Sequence, residues 1–333
     1  MMLRRIVRRT LQLVGAIVLL IVALVVFFDL QRRAREKDDV HASAPMGGRY
    51  VLAKDVAVFV QEAGSPSAPT VLLVHGTGTW SEIWRETIDA LAPRYHVVAI
   101  DLPPFGYSDK PRGAASYSRE KQARRIVGVL DAMHIASATL VAHSVGARPA
   151  VEAALESPNR IQHLILIDPA LGFRDHTNEF EQPQPSRVAR GFFACAPLRN
   201  AMIATYGTNP VFMRRLFRTF VSNKDAVTDT RLGVILQPMS VARTTDAYGD
   251  WLTYLATSHD TSSAADFRNF AHLTMPVDIL WGRTDEVTPL WQGEALVKLI
   301  PSSRLTVIDG VGHIPYIEDP PRFQVALSQA LAR

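Results

Sequence analysis

From Tyr50 onward, short apolar runs alternate with longer amphipathic ones, and that rhythm limits what the chain can fold into. The runs are Tyr50–Leu52, Val56–Ala63, Val71–Val74, Val97–Ile100, Thr139–Ala142, Leu164–Ile167, Val277–Trp281 and Leu305–Ile308. Most are apolar at successive positions, the mark of strands buried on both faces. Helix-like stretches lie between the later ones, at Glu82–Leu91, Arg119–Met133, Val145–Leu155, Pro289–Leu299 and Pro321–Leu331. Such alternation predicts an α/β fold, a mostly parallel sheet flanked by helices. Between about Leu171 and His272 it stops. Aromatic residues and methionines recur there at helical spacing (Phe192, Phe193, Met202, Phe212, Met213, Phe217, Phe220, Trp251, Tyr254), which reads as an inserted helical cap whose aromatics largely form its own core. The expected organisation is a core over residues 49–170, a cap over 171–272 and the rest of the core over 273–333. A chain of 333 residues can bury such a core, and its one cysteine, Cys195, excludes a disulfide framework or a multi-cysteine zinc site.

Ahead of the body, Leu11–Leu30 has only Gln12 and Asp29 as polar interruptions. Twenty helical residues rise about 30 Å, the hydrocarbon thickness of a bilayer, so a transmembrane helix at about 11–30 is expected within an N-terminal anchor over 1–39. The rival is a signal peptide cut near Ala42-Ser43-Ala44, but that site lies beyond the charged run Gln31–Asp39. Each flank carries four Lys/Arg; the N-terminus is expected in the cytoplasm and the body outside, in a periplasmic-type space. Residues 40–48 read as a linker, which would make the body separable from residues 1–39. Removing the eight bases and four acids of residues 1–39 from the chain's 36 and 32 leaves 28 of each, so the body is neutral and nucleic acid is not an expected partner.

The chemistry concentrates in Ala142-His143-Ser144-Val145-Gly146, where a strand runs into small residues around a serine and a helix-like stretch follows. On a sharp strand-to-helix turn a serine hydroxyl is exposed for attack, and small neighbours allow close packing. The hydroxyl needs a base, and the base needs an acid to hold its tautomer. His313, in a glycine-bounded loop after the last strand, is the expected base. Asp285, just past the preceding strand, is the expected acid, with Asp168 at the end of Leu164–Ile167 as the rival. His143 adjoins the serine on a tight turn that aims it elsewhere and reads as structural. The loop His75-Gly76-Thr77-Gly78 can aim a backbone N–H at a developing oxyanion, which makes Thr77 and Val145 the candidate donors. The loop has neither the spacing of a phosphate cradle nor of a dinucleotide site, and no HExxH motif occurs, so no metal or cofactor is implied.

Taken together, His75-Gly76-Thr77-Gly78 with Trp84, the segment Asp101–Asp109, the elbow around Ser144, Trp281–Asp285 and Gly310–Pro315 resemble the α/β-hydrolase superfamily over about residues 49–333. The resemblance implies Ser144 as nucleophile, Asp285 as acid, His313 as base and Thr77 and Val145 as oxyanion donors, in the chain order serine, acid, histidine. Asp101 and Asp109 read as structural. Members with an elbow aspartate act through an alkyl ester; serine at 144 points instead to acyl transfer to water. The expected function is a membrane-anchored serine hydrolase of the carboxylesterase or lipase type acting on a small apolar acyl substrate. The alternative enzyme is a carbon–carbon bond hydrolase of diketone-like acids, which would need a cationic clamp such as Arg148, Arg187, Arg190, Arg214 or Arg215. The alternative of another class is a non-catalytic binding protein on a hydrolase fold, disfavoured by the complete set Ser144, Asp285 and His313.

Overall fold

The computed structural model describes residues 2–173 and 186–333. Residues 174–185, within the expected cap, lie outside the described residues. The first helix, α1 (Met2–Arg35), runs through the apolar segment and about a turn past it. Eight strands follow: β1 (Gly48–Ala53), β2 (Val56–Ala63), β3 (Thr70–Val74), β4 (His96–Ile100), β5 (Ala138–His143), β6 (Ile161–Ile167), β7 (Val277–Gly282) and β8 (Ser303–Ile308). Each coincides with one of the apolar runs. They form one sheet in the order β1-β2-β4-β3-β5-β6-β7-β8. β1 and β2 pair antiparallel with each other, β2 pairs antiparallel with β4, and every pair from β4 to β8 is parallel.

The core explains why these runs lack alternation. Leu72 and Val74 of β3, Val98 and Ile100 of β4 and Leu164 and Leu166 of β6 enter one apolar cluster, while Val71, Leu73, Val97, Ala99, Ile165 and Ile167 enter another on the opposite face. Side chains on a strand point alternately up and down, so burial on both sides demands apolar residues at every position. The core helices are α2 (Arg85–Leu91), α3 (Arg119–Ala132), α4 (Ala147–Glu156), α10 (Trp291–Leu299), α11 (Pro315–Glu318) and α12 (Pro320–Leu331). Ile126 and Val129 of α3 and Val151 of α4 cover the first face, and Ile88 of α2 and Leu327 of α12 cover the second. Full burial of each such side chain is worth about 1.5–3 kcal/mol.

Between β6 and β7 the described residues form α5 (Arg187–Ala194), α6 (Ala196–Tyr206), α7 (Pro210–Phe220), α8 (Asp229–Leu236) and α9 (Thr244–Thr257), with no strand among them. The residues between α1 and β1 are more than a tether. Asp38 bridges to Val241 through a parallel backbone pair, Arg32 Nη1 donates to Asp246 Oδ1 at 3.1 Å, and the Tyr50 hydroxyl donates to the Val40 carbonyl at 2.7 Å. Val40 and Ala44 pack against buried Phe59, Trp80, Tyr107 and Val241. The body is therefore less separable from residues 32–46 than the polar composition suggests, because Arg32 and Asp38 find partners some two hundred residues away. A chain lacking residues 1–39 is expected to melt about 4–8 °C below one lacking residues 1–30, corresponding to about 2 kcal/mol of lost contacts; equal melting temperatures in calorimetry would show that residues 31–39 do not stabilise the body.

Candidate active site

The carboxyl ends of parallel strands expose loops at one edge of the sheet, and every candidate residue sits on that edge. Ser144 follows the last residue of β5 with φ +52°, a left-handed conformation that costs a residue with a Cβ about 1–3 kcal/mol. The chain turns directly into α4. Gly146 is required there: a Cβ would lie 2.5 Å from the His75 carbonyl oxygen. Ala142, where the family pattern usually has glycine, is fully buried in the core.

His313 comes from the loop after β8 and Asp285 from the loop after β7. Those loops touch because Gly282 has no side chain; a Cβ there would fall 2.0 Å from the Gly312 carbonyl oxygen. The expected residues are brought together. His313 Nδ1 lies 2.8 Å from Asp285 Oδ2 and Nε2 lies 2.9 Å from Ser144 Oγ. With Nδ1–H donating to the carboxylate, Nε2 carries a lone pair and accepts from the serine hydroxyl. Asp285 Oδ1 accepts from the backbone of Val287 at 2.7 Å and Thr288 at 2.9 Å, and Oδ2 accepts from the Thr288 hydroxyl at 2.5 Å. Burial alone would raise the Asp285 pKa, but the bonds and charge of His313 with those of Thr288 outweigh it and hold the carboxyl below its ordinary value.

Asp168 is also at the sheet edge, at φ +41° and fully buried, but its Oδ1 accepts from the backbone of Gly282 at 2.8 Å and it makes no bond to His313. Burial, then the charge of Asp285, pushes its pKa well above the usual carboxylate range, favouring the neutral acid. The two acids thus titrate in opposite directions, with Asp285 ionised beside the histidine. His143 donates from Nε2 to the His313 carbonyl at 2.7 Å and accepts from the Tyr316 hydroxyl at 3.0 Å. Burial lowers its pKa to about 3, so it is a neutral brace under the His313 loop, in keeping with the structural reading. Asp101 and Asp109 also read as structural: Asp101 accepts from the backbone of Ser81 and Tyr107, both at 2.7 Å, and Asp109 from that of Ala57 at 2.8 Å.

Sequence reasoning missed Glu318. Its Oε2 accepts from the backbone of Gly312 at 3.0 Å, Ser222 at 2.8 Å and Asn223 at 2.9 Å, and Oε1 accepts from Ile314 at 3.2 Å, so one carboxylate fixes both sides of His313 and ties the loop to the chain just past α7. The only signal was a glutamate five residues after the histidine.

The N–H of Thr77 has no acceptor among the described residues, and that of Val145 lies in the first turn of its helix, where donors lack intrahelical partners. Each of these residues borders a separate cavity. One of about 240 Å³ borders Thr77 and is walled by Met213, Phe217, Phe220, Tyr248, Trp251 and their apolar neighbours. The other, of about 260 Å³, borders Val145 and holds Arg148, Arg119, Gln122 and His75. Trp251 walls both. Of the clamp arginines suggested by sequence, Arg148 lines the second cavity; Arg187, Arg190, Arg214 and Arg215 are not among its walls. Arg119 and Arg148 both pair with Asp260, the latter at 3.5 Å.

Residues 69–320 match the family model described as alpha/beta hydrolase fold. The chain belongs to the α/β-hydrolase family. An uncharacterised protein of Mycobacterium tuberculosis (strain ATCC 25618 / H37Rv) is 30% identical over 262 residues, covering 77% of this chain and 73% of its own. The 2-hydroxymuconate semialdehyde hydrolase of Pseudomonas sp. (strain CF600) is 28% identical over 305 residues, covering 87% and 95%. A meta-cleavage product hydrolase structure from Pseudomonas fluorescens IP01 shares the fold with a TM-score of 0.68 at 23% identity, over 86% of this chain and 97% of that one. In this α/β hydrolase, Asp285→Asn is expected to lower turnover about 10⁴-fold with little change in substrate binding, whereas Asp168→Asn, whose amide replaces a neutral acid, stays within about tenfold of wild type. Steady-state kinetics on both folded variants decide; loss of turnover in Asp168→Asn alone would exchange the two roles.

Proposed function

We propose that this α/β hydrolase cleaves a carboxylic ester through an acyl-enzyme on Ser144, and that α1 holds it in a membrane. Ser144 attacks the ester carbonyl as His313 Nε2 takes its proton. The oxyanion faces the N–H groups of Thr77 and Val145, each worth about 3 kcal/mol to the transition state. The imidazolium, stabilised by Asp285, then protonates the departing alcohol. Water, deprotonated by His313, attacks the acyl-enzyme and releases the acid. The observation that carries the ester reading is the apolar cavity bordering Thr77, whose walls suit the acyl chain of an ester.

The placement of α1 in a membrane rests on its length and on an apolar window of mean hydropathy 3.0 with none of that window buried against the body. Its 34 residues rise about 50 Å, longer than a bilayer core, which leaves the Arg-rich ends in water.

A second reading, hydrolysis of a carbon–carbon bond in a diketone-like acid, draws on the 2-hydroxymuconate semialdehyde hydrolase relative and on Arg148 in the cavity beside Val145. Burial lowers the Arg148 pKa to about 10, so it stays cationic at neutral pH and could meet a carboxylate. Its pairing with Asp260 favours the ester, because an entering carboxylate would have to compete with one already in place. Rates on a series of p-nitrophenyl esters and on a vinylogous diketone acid separate the readings. The ester reading expects kcat/KM to rise at least about tenfold from acetyl to octanoyl, since each buried methylene contributes about 0.8 kcal/mol. Cleavage of the diketone acid with inert esters would establish the second reading instead.

A further inference from the structure

The last turns of α1 lie against the cap. Within the helix, Val25, Phe28, Asp29, Arg32 and Arg35 are the partly covered residues, a stripe at helical spacing that continues to Glu36, while Arg4–Leu24 are exposed. The stripe packs along α6. Arg35 Nη2 donates to the Thr208 hydroxyl at 2.9 Å, just past α6, and the Thr245 N–H of α9 donates to Glu36 Oε2 at 3.1 Å. Because covering begins at Val25, inside the apolar segment that ends at Leu30, the body meets α1 about 8 Å before that segment ends, the depth of a headgroup and upper acyl layer.

Alongside α1, α6 presents apolar side chains outward. Leu198, Met202 and Tyr206 follow one another at intervals of four, on one face, and are 38%, 36% and 58% exposed. Met202 and Tyr206 also wall the apolar cavity beside Thr77, so the cavity reaches the surface through this stripe. On the neighbouring α5, Val188 is 83% exposed between exposed Arg187 and Arg190, the pairing of apolar and cationic side chains that suits an anionic lipid surface.

We propose that the Leu198–Met202–Tyr206 face of α6 rests on the bilayer that holds α1, and that the apolar cavity takes a long-chain acyl ester directly from that bilayer. The inference rests on the ester and membrane readings above and names the substrate class of that site. Burial of a lipid-facing stripe offsets its cost in water, and a substrate leaving the bilayer through it exchanges one apolar surrounding for another.

The test uses the full chain in equimolar phosphatidylcholine and phosphatidylglycerol vesicles. Cys195, the sole cysteine, is exposed and directly precedes α6, so an environment-sensitive fluorophore on it reports where α6 lies. Headgroup-nitroxide lipid should cut its emission by about half or more, as expected for a probe within roughly 10 Å of the interface. Emission unchanged by nitroxide lipid, in protein that floats with the vesicles, would overturn the inference, including the case in which the stripe pairs with a second copy of the chain in water. Leu198→Asp, outside the cavity walls, should lower turnover of a vesicle-embedded long-chain ester about tenfold while a soluble acetyl ester stays within about twofold, the loss matching one unburied leucine. Equal rates of wild type and variant on the embedded ester would also overturn it. Failure to float would defeat the membrane reading, and ester cleavage by Ser144→Ala would defeat the ester reading; the fluorophore responds to neither chemistry nor turnover and so keeps the failures apart.

Discussion

The bond from His313 Nδ1 to Asp285 Oδ2, 2.8 Å long, joins the loops that leave two neighbouring parallel strands, and the rest of the site is arranged around it. It requires Gly282 and Gly312 to approach backbone to backbone, and it requires the His313 loop to be braced from below by His143 and from the side by Glu318. The bond also sets the protonation of the neighbourhood. Burial favours Asp168 as the neutral acid, and the ionised Asp285 beside it adds to that preference.

Around that line the cleft is chemically divided. Thr77 borders a chamber of aromatics and methionines, and Val145 borders a mostly apolar chamber into which Arg119, Arg148 and Gln122 also reach, with Trp251 walling both. The T-shaped contacts of Phe105 with Tyr248 and Trp251, at 4.9 and 5.1 Å between ring centroids, lock the divider to the segment that carries Asp101.

The sheet was legible in the sequence because burial on both faces leaves a simple mark, and Ser144, His313 and Asp285 were legible because each stands within a few residues of a strand end. Asp168 shared that position, and only the through-space geometry separates it from Asp285: one carboxyl reaches the imidazole, the other a backbone amide of Gly282. Glu318 escaped because two of its four backbone partners, Ser222 and Asn223, lie some ninety-five positions away. Residues 32–39 read as separable from the body because the partners of Arg32 and Glu36, Asp246 and Thr245, lie more than two hundred positions away. Polar composition marks solvent exposure only where no such partner exists.

This arrangement is expected to make Ser144 a nucleophile. Reaction of the purified full-length protein with a fluorophosphonate, followed by intact-mass and peptide mass spectrometry, tests it most directly. The account predicts one stoichiometric adduct, located on Ser144 and absent from Ser144→Ala. A folded wild-type protein that takes up no label, or an adduct that persists in Ser144→Ala, would contradict it.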